Sequence, residues 1–163
     1  MMLAKIRLTL LSVWLGAMAY FSFIVAPAAF AVLPTRQLAG NLVNRALGIT
    51  ELIGIVFSVL LIVLLLIART ARRKAFWFEL ALLSSMTAAM LSSRLVVSQR
   101  LHELRARLGD VSALAATDPN RLAFDQLHQY SVWLMSFAII AALVLIVLLV
   151  RQPAVEPAPQ FNA

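Results

Sequence analysis

Arg94, His102 and Arg105 recur at helical spacing along residues 84–105, SSMTAAMLSSRLVVSQRLHELR, in company with Ser84, Thr87, Leu91 and Ser98. At about 100° per residue these positions fall in one narrow sector of a helix, and all but Leu91 are polar. The same stretch begins as an apolar, membrane-type run. An arginine facing lipid near the centre of a bilayer costs about 2.5–3.5 kcal/mol on translocon scales. The stripe is therefore expected to face other protein or a water-filled cavity. An intramembrane arginine calls for an acid, and Glu51 is the one that spacing offers. Asn44, Gly48, Glu51 and Ser58 share a face of the preceding apolar run, and Glu51 enters the membrane from the same side as Arg94. Each lies a few residues below the surface, about 6 Å at 1.5 Å per residue. A buried Glu51–Arg94 pair at matched depth is the expectation.

His102 and His128 are the two histidines of the chain. One falls just beyond the third apolar run and the other just before the fourth, so both are expected at one interface. Imidazole can carry protons near neutral pH or ligate metal. Two histidines at one height could be axial ligands to haem b or half of a copper site. They could equally bond a neighbouring helix or a lipid headgroup, and no third histidine or Met-x-x-Met run strengthens the metal reading. Ser98, His102 and Glu103 are the residue types of a catalytic triad. Glu103 projects about 100° from His102 on the same helix, however, and cannot orient that imidazole. No nucleophile elbow, P-loop or dinucleotide fingerprint occurs, so no catalytic residue is assigned and an enzyme is not expected.

Composition identifies the elements that must hold these groups. Of 163 residues, 63% are hydrophobic and 13% charged, where soluble domains are roughly 25% charged. This predicts an all-α, four-transmembrane-helix antiparallel bundle over residues 1–151, its third helix extended beyond the membrane. A disordered tail follows at 152–163, where QPAVEPAPQFNA is rich in proline. The net charge of +7 gathers at the ends of the apolar runs, as juxtamembrane anchors do. No zinc-finger spacing or aromatic-basic RNA motif accompanies it, so a nucleic-acid partner is not expected. Cysteine is absent, which removes disulfides and thiolate sites.

The first run, residues 8–32, contains Ala29-Phe30-Ala31, suited to signal cleavage. It is longer than the 7–15 residues or so of a signal-peptide core and is read as a retained span. Gly16 and Ala17 suit close helix contact, Pro27 can bend or thin the helix, and Pro34 ends it. Residues 33–41 are read as a loop and 44–67 as the second span. The loop 69–74, RTARRK, is basic without an acid and is placed in the cytoplasm by the positive-inside rule. Both termini follow it there. The third span starts near Ala75 with the aromatic belt Phe76-Trp77-Phe78, and Gly109 is a helix stop. Asp118-Pro119 reads as an N-cap followed by proline at the first position of the fourth helix.

Three segments carry a family likeness: WLGAMAYFSFIVAPAAFAVLPTRQLAG at 14–40, SRLVVSQRLHELR at 93–105 and FDQLHQYS at 124–131. Together they resemble small four-helix membrane proteins similar to transmembrane protein 205, whose bacterial relatives carry a domain of unknown function. The resemblance implies a polytopic protein of the bacterial inner membrane and marks Pro27, Gly40, Arg94, His102, Arg105 and His128. Glu51 comes from spacing alone. A looser architectural likeness to copper-resistance membrane domains and four-helix haem oxidase subunits keeps a cofactor open. The candidate ligand-binding set is thus Glu51, Arg94, Ser98, His102, Arg105 and His128. The expected function is binding or moving a small polar or anionic solute, or assisting a transporter. A haem- or copper-binding redox protein and a structural subunit are the alternatives. The lipid bilayer is the expected surrounding, with a homo-oligomer or a partner membrane protein as further partners.

Overall fold

The computed structural model describes residues 2–68, 73–109 and 111–151. The tail expected to be disordered, and most of the basic loop 69–74, lie outside the described residues. Four helices are each long and apolar enough to cross a membrane: α1 (Met2–Val32), α2 (Arg36–Ala68), α3 (Lys74–Leu108) and α4 (Pro119–Val150). No strand occurs among the described residues. Each helix packs on its sequence neighbours and α4 closes against α1, giving an antiparallel four-helix bundle.

Burial is arranged as in lipid-embedded bundles. Large apolar side chains such as Leu52, Val56, Val63, Ile140 and Val147 point outward. The interior holds Leu11, Trp14, Met18, Leu61, Leu65, Leu83 and Met86 against the small Ala138, Ala141 and Ala142. With lipid as solvent no hydrophobic drive separates these faces, so association depends on close packing and interior hydrogen bonds. Thr87 Oγ1 reaches Ser58 Oγ at 2.9 Å across the α2–α3 contact, and Ser58 donates to its own helix at Ile55 O, 3.0 Å away. Gly16 and Ala17, expected at a helix contact, are exposed, and nothing lies within 4 Å of a Cβ built on Gly16. Gly54 makes the close approach instead, under Trp14 and Met90.

The ends are set by local chemistry. Gly109 stops α3 at φ +69, its N–H donating to Arg105 O at 2.9 Å. Asp118 caps α4, accepting from Asn120 N at 2.8 Å, with Pro119 next. Removing that cap in Asp118→Ala should cost about 1 kcal/mol of stability, with most retained in Asp118→Asn, read as thermal unfolding of the purified protein.

Two expectations change. Residues 36–41 are helix rather than loop, because Thr35 Oγ1 accepts from Leu38 N and starts α2 early; Leu33 is extended, as a residue before proline prefers to be. Pro27, expected to bend or thin α1, is met by a local widening of the helix. Proline lacks an N–H and its ring crowds the carbonyl one turn back. The chain meets this with a wide π turn at Phe21–Val25, where Ala26 N–H donates to Phe21 O, and the helix then runs on to Val32.

Candidate functional site

A second π turn, Ser93–Ser98, lies within the polar stretch of α3. Apart from Ala89, which adjoins Met90, buried positions on α3 run Glu79, Leu83, Met86, Met90, Ser93, Val97 and Leu101. Steps of four and three give way to two successive steps of four where the π turn widens the helix. Ser93 falls inside in regular step with Met86 and Met90, so Arg94, one residue on, lies on the flank with the rest of the polar stripe, and the π turn shifts only the positions beyond it. Ser84 and Leu91 face outward, Thr87, Arg94, Ser98 and Arg105 are half-buried, and His102 is exposed.

This decides the expected ion pair. Glu51 is buried at 3% exposure, and its Oε1 accepts from Ser93 Oγ. Arg94 Nη1 instead donates to Gly48 O at 2.6 Å, one turn along α2. The two side chains share a groove without forming an ion pair. A helix carbonyl within reach of a flanking arginine satisfies it without drawing the guanidinium into the core, while Ser93, on the inner face, serves the carboxylate.

The six candidate residues divide between two adjoining spaces. Glu51, Arg94, Ser98 and His102 line an open groove of about 420 Å³ between α2 and α3, with Asn44 and Gly48 in its wall. Arg105, His102 and His128 line a pocket of about 480 Å³ at that end of the bundle, joined by Arg36, Arg121 and Asp125. His102 borders both. Gly40, marked by resemblance, has a positional reason: a Cβ there would sit 3.2 Å from Arg105 Nη2. Its absence lets the guanidinium lie across α2, with Nη1 3.5 Å from Gly40 O and the cation 5.0 Å from the centre of the Phe124 ring. Arg121 Nη1 donates to Leu114 O at 2.7 Å, fixing the loop before α4 over the pocket. Neither Arg94 nor Arg105 has a carboxylate within ion-pair distance among the described residues.

At the opposite end, Arg7 Nη2 and Glu79 Oε2 form a buried ion pair, both side chains almost wholly enclosed. It joins α1 to α3 across the bundle. Composition alone places Arg7 among the basic residues at the ends of the apolar runs, and Glu79 carries no motif. The depth argument applied to Glu51 would have found the pair. Arg7 is five residues into α1 and Glu79 five past Lys74, each about 7–8 Å deep at 1.5 Å per residue.

Among the described residues no group of three His, Asp or Glu could hold a metal ion. The pattern of the domain of unknown function DUF4149 matches residues 9–110, which include Glu51, Arg94, His102 and Arg105 and stop short of His128. Neither a curated protein nor a solved structure matches the chain.

Proposed function

We propose, from the premise that the chain belongs to the DUF4149 family, that it is a polytopic membrane protein which captures a small phosphate- or carboxylate-bearing anion at one end of its bundle. Three arginines and two imidazoles around one pocket, with Asp125 the one acid in its wall among the described residues, carry the reading. Arg105 is the principal donor. It is half-buried, pre-positioned by the Gly40 carbonyl and the Phe124 ring, and its guanidinium suits bidentate oxyanion recognition. Arg36 and Arg121 add charge at the mouth, Arg94 continues it along the groove, and His102 and His128 tune the field by protonation. The captured anion is bound for its own sake or presented to a transporter. Kinship with transmembrane protein 205, a bacterial inner membrane and cytoplasmic termini belong to this proposal. Orientation rests on the basic loop 69–74 and on Lys5, since Arg7 is engaged inside the bundle.

Purified protein in phosphatidylcholine nanodiscs, titrated with inorganic phosphate, tests a free anion. The same discs containing phosphatidylglycerol, read by native mass spectrometry, test a lipid headgroup. One arm should show saturable binding that weakens about tenfold or more in Arg105→Ala, a charge-assisted hydrogen bond being worth about 1.5–3 kcal/mol. Arg105→Lys should keep part of it. Equal retention by wild type and Arg105→Ala in both arms overturns the reading. A second reading places haem b or copper between His102 and His128, which line one pocket. A Soret band or bound copper in purified protein, lost in His102→Ala, would replace the first reading with this one.

A further inference from the structure

A small space lies deeper in the bundle, below the groove. It is about 10 Å³, room for one atom-sized occupant, and each helix contributes to its wall: Met18 from α1, Glu51 from α2, Met90 and Ser93 from α3, Met135 from α4. Glu51 borders both this space and the open groove. Its Oε1 is taken by the Ser93 hydroxyl, while Oε2 is buried with no hydrogen-bond partner. A buried oxygen without a partner is a strong sign of a missing occupant.

The chemistry of the wall narrows what that occupant is. Water needs two to four polar partners, and this wall offers only the Glu51 carboxylate and a Ser93 hydroxyl whose proton is already committed. Hard cations require roughly six oxygens. Thioethers are soft ligands that select monovalent copper-type ions. The sulfur of Met90 faces α2 one turn from Glu51: a Cβ built on Gly54 would lie 2.9 Å from it. The Met135 sulfur accepts from Ser22 Oγ at 3.4 Å on α1, and the unbranched methionine side chain lets both thioethers swing from these neighbours into the space they wall.

We infer that this Met18–Met90–Met135–Glu51 chamber is a binding site for a soft monovalent d10 cation, Cu(I) or its analogue Ag(I). The thioethers supply the ligands, and the Glu51 carboxylate cancels the charge so that a net-neutral complex sits inside the membrane. The site uses none of the pocket arginines, so it stands or falls apart from anion capture.

Silver nitrate is the probe, because Ag(I) needs no reductant. Purified protein in chloride-free buffer, with excess imidazole to compete for the surface histidines, is equilibrated with Ag(I) and desalted. Bound metal is counted by mass spectrometry, and its ligands are read by X-ray absorption. One silver per chain with sulfur neighbours is expected. Loss of an outer-shell partner alone weakens metal sites 10–100-fold, so Met18→Leu, Met135→Leu and Glu51→Gln should each weaken binding at least about tenfold. Met86→Leu, a buried methionine outside the chamber wall, should bind as wild type does. Leu for Met keeps volume and helix content, and circular dichroism confirms the fold of each variant. Absence of stoichiometric silver, silver without sulfur neighbours, or equal loss in Met86→Leu overturns the inference.

Discussion

Glu79→Ala should lower the stability of the bundle by about 3–5 kcal/mol, the largest effect expected of any single change in this chain. The reason is the state of what remains. Arg7 is 3% exposed, and its Nε already has no hydrogen-bond partner. Removing the carboxylate leaves a guanidinium charge inside a bundle whose surroundings are lipid. Breaking a buried pair is costly because of this uncompensated charge, whereas replacing both members by apolar residues of similar size is often neutral or stabilising. The double variant Arg7→Met/Glu79→Leu should therefore recover most of the loss. Thermal unfolding of the purified protein in one detergent, for wild type, both single variants and the double, reads the cycle. A Glu79→Ala protein that melts with wild type would show that the pair contributes nothing. A double variant as unstable as the summed singles would show that packing, rather than charge, governs this end.

What could be read from the chain alone follows the range of the forces involved. Gly109 and the Asp118-Pro119 cap act within a few residues, and both are where spacing put them. The four spans follow from mean hydropathy and length, which need no knowledge of neighbours. Thr35 as the start of α2 is equally local, although residues 33–41 read as a loop. Only the packing of Arg105 on Gly40 explains the place of that glycine inside a helix.

Rotation about the helix axis was the harder matter. A projection at 100° per residue assumes a uniform helix, and the π turn at Ser93–Ser98 breaks that assumption where the candidate site lies. Ser93 is inside and Arg94 on the flank where that turn begins, so Glu51 meets a hydroxyl in place of a guanidinium, and the turn re-aims the positions beyond it. Depth and end of the bundle follow from distance along the chain, while the partners of these groups depend on angle. Methionines gave no signal at all. Met18, Met90 and Met135 are separated by more than 40 residues each and read individually as core; their convergence on Glu51 is a property of the bundle.

Gly54→Val is the second large effect, about 1–3 kcal/mol of destabilisation from overpacking. A Cβ at this position would lie 2.6 Å from Trp14 Nε1 and 2.6 Å from Met90 Cε. Methionine is flexible and can move its terminal methyl aside. The indole is rigid and 2% exposed, enclosed within the same core, and has nowhere to go without parting α1 from α2. Small residues let membrane helices approach closely, and here the approach is between a backbone and a tryptophan edge. Adding Met90→Ala to Gly54→Val should restore only part of the stability, and Trp14→Phe, which removes the crowded edge, should restore more. Gly16→Ala is the matched control: with nothing within 4 Å of its Cβ it should leave the melting temperature unchanged or slightly raised. If Gly54→Val melts with wild type while the Gly16 variant does not, the close contact of α1 and α2 lies at the other glycine and the arrangement of the core around Trp14 is wrong.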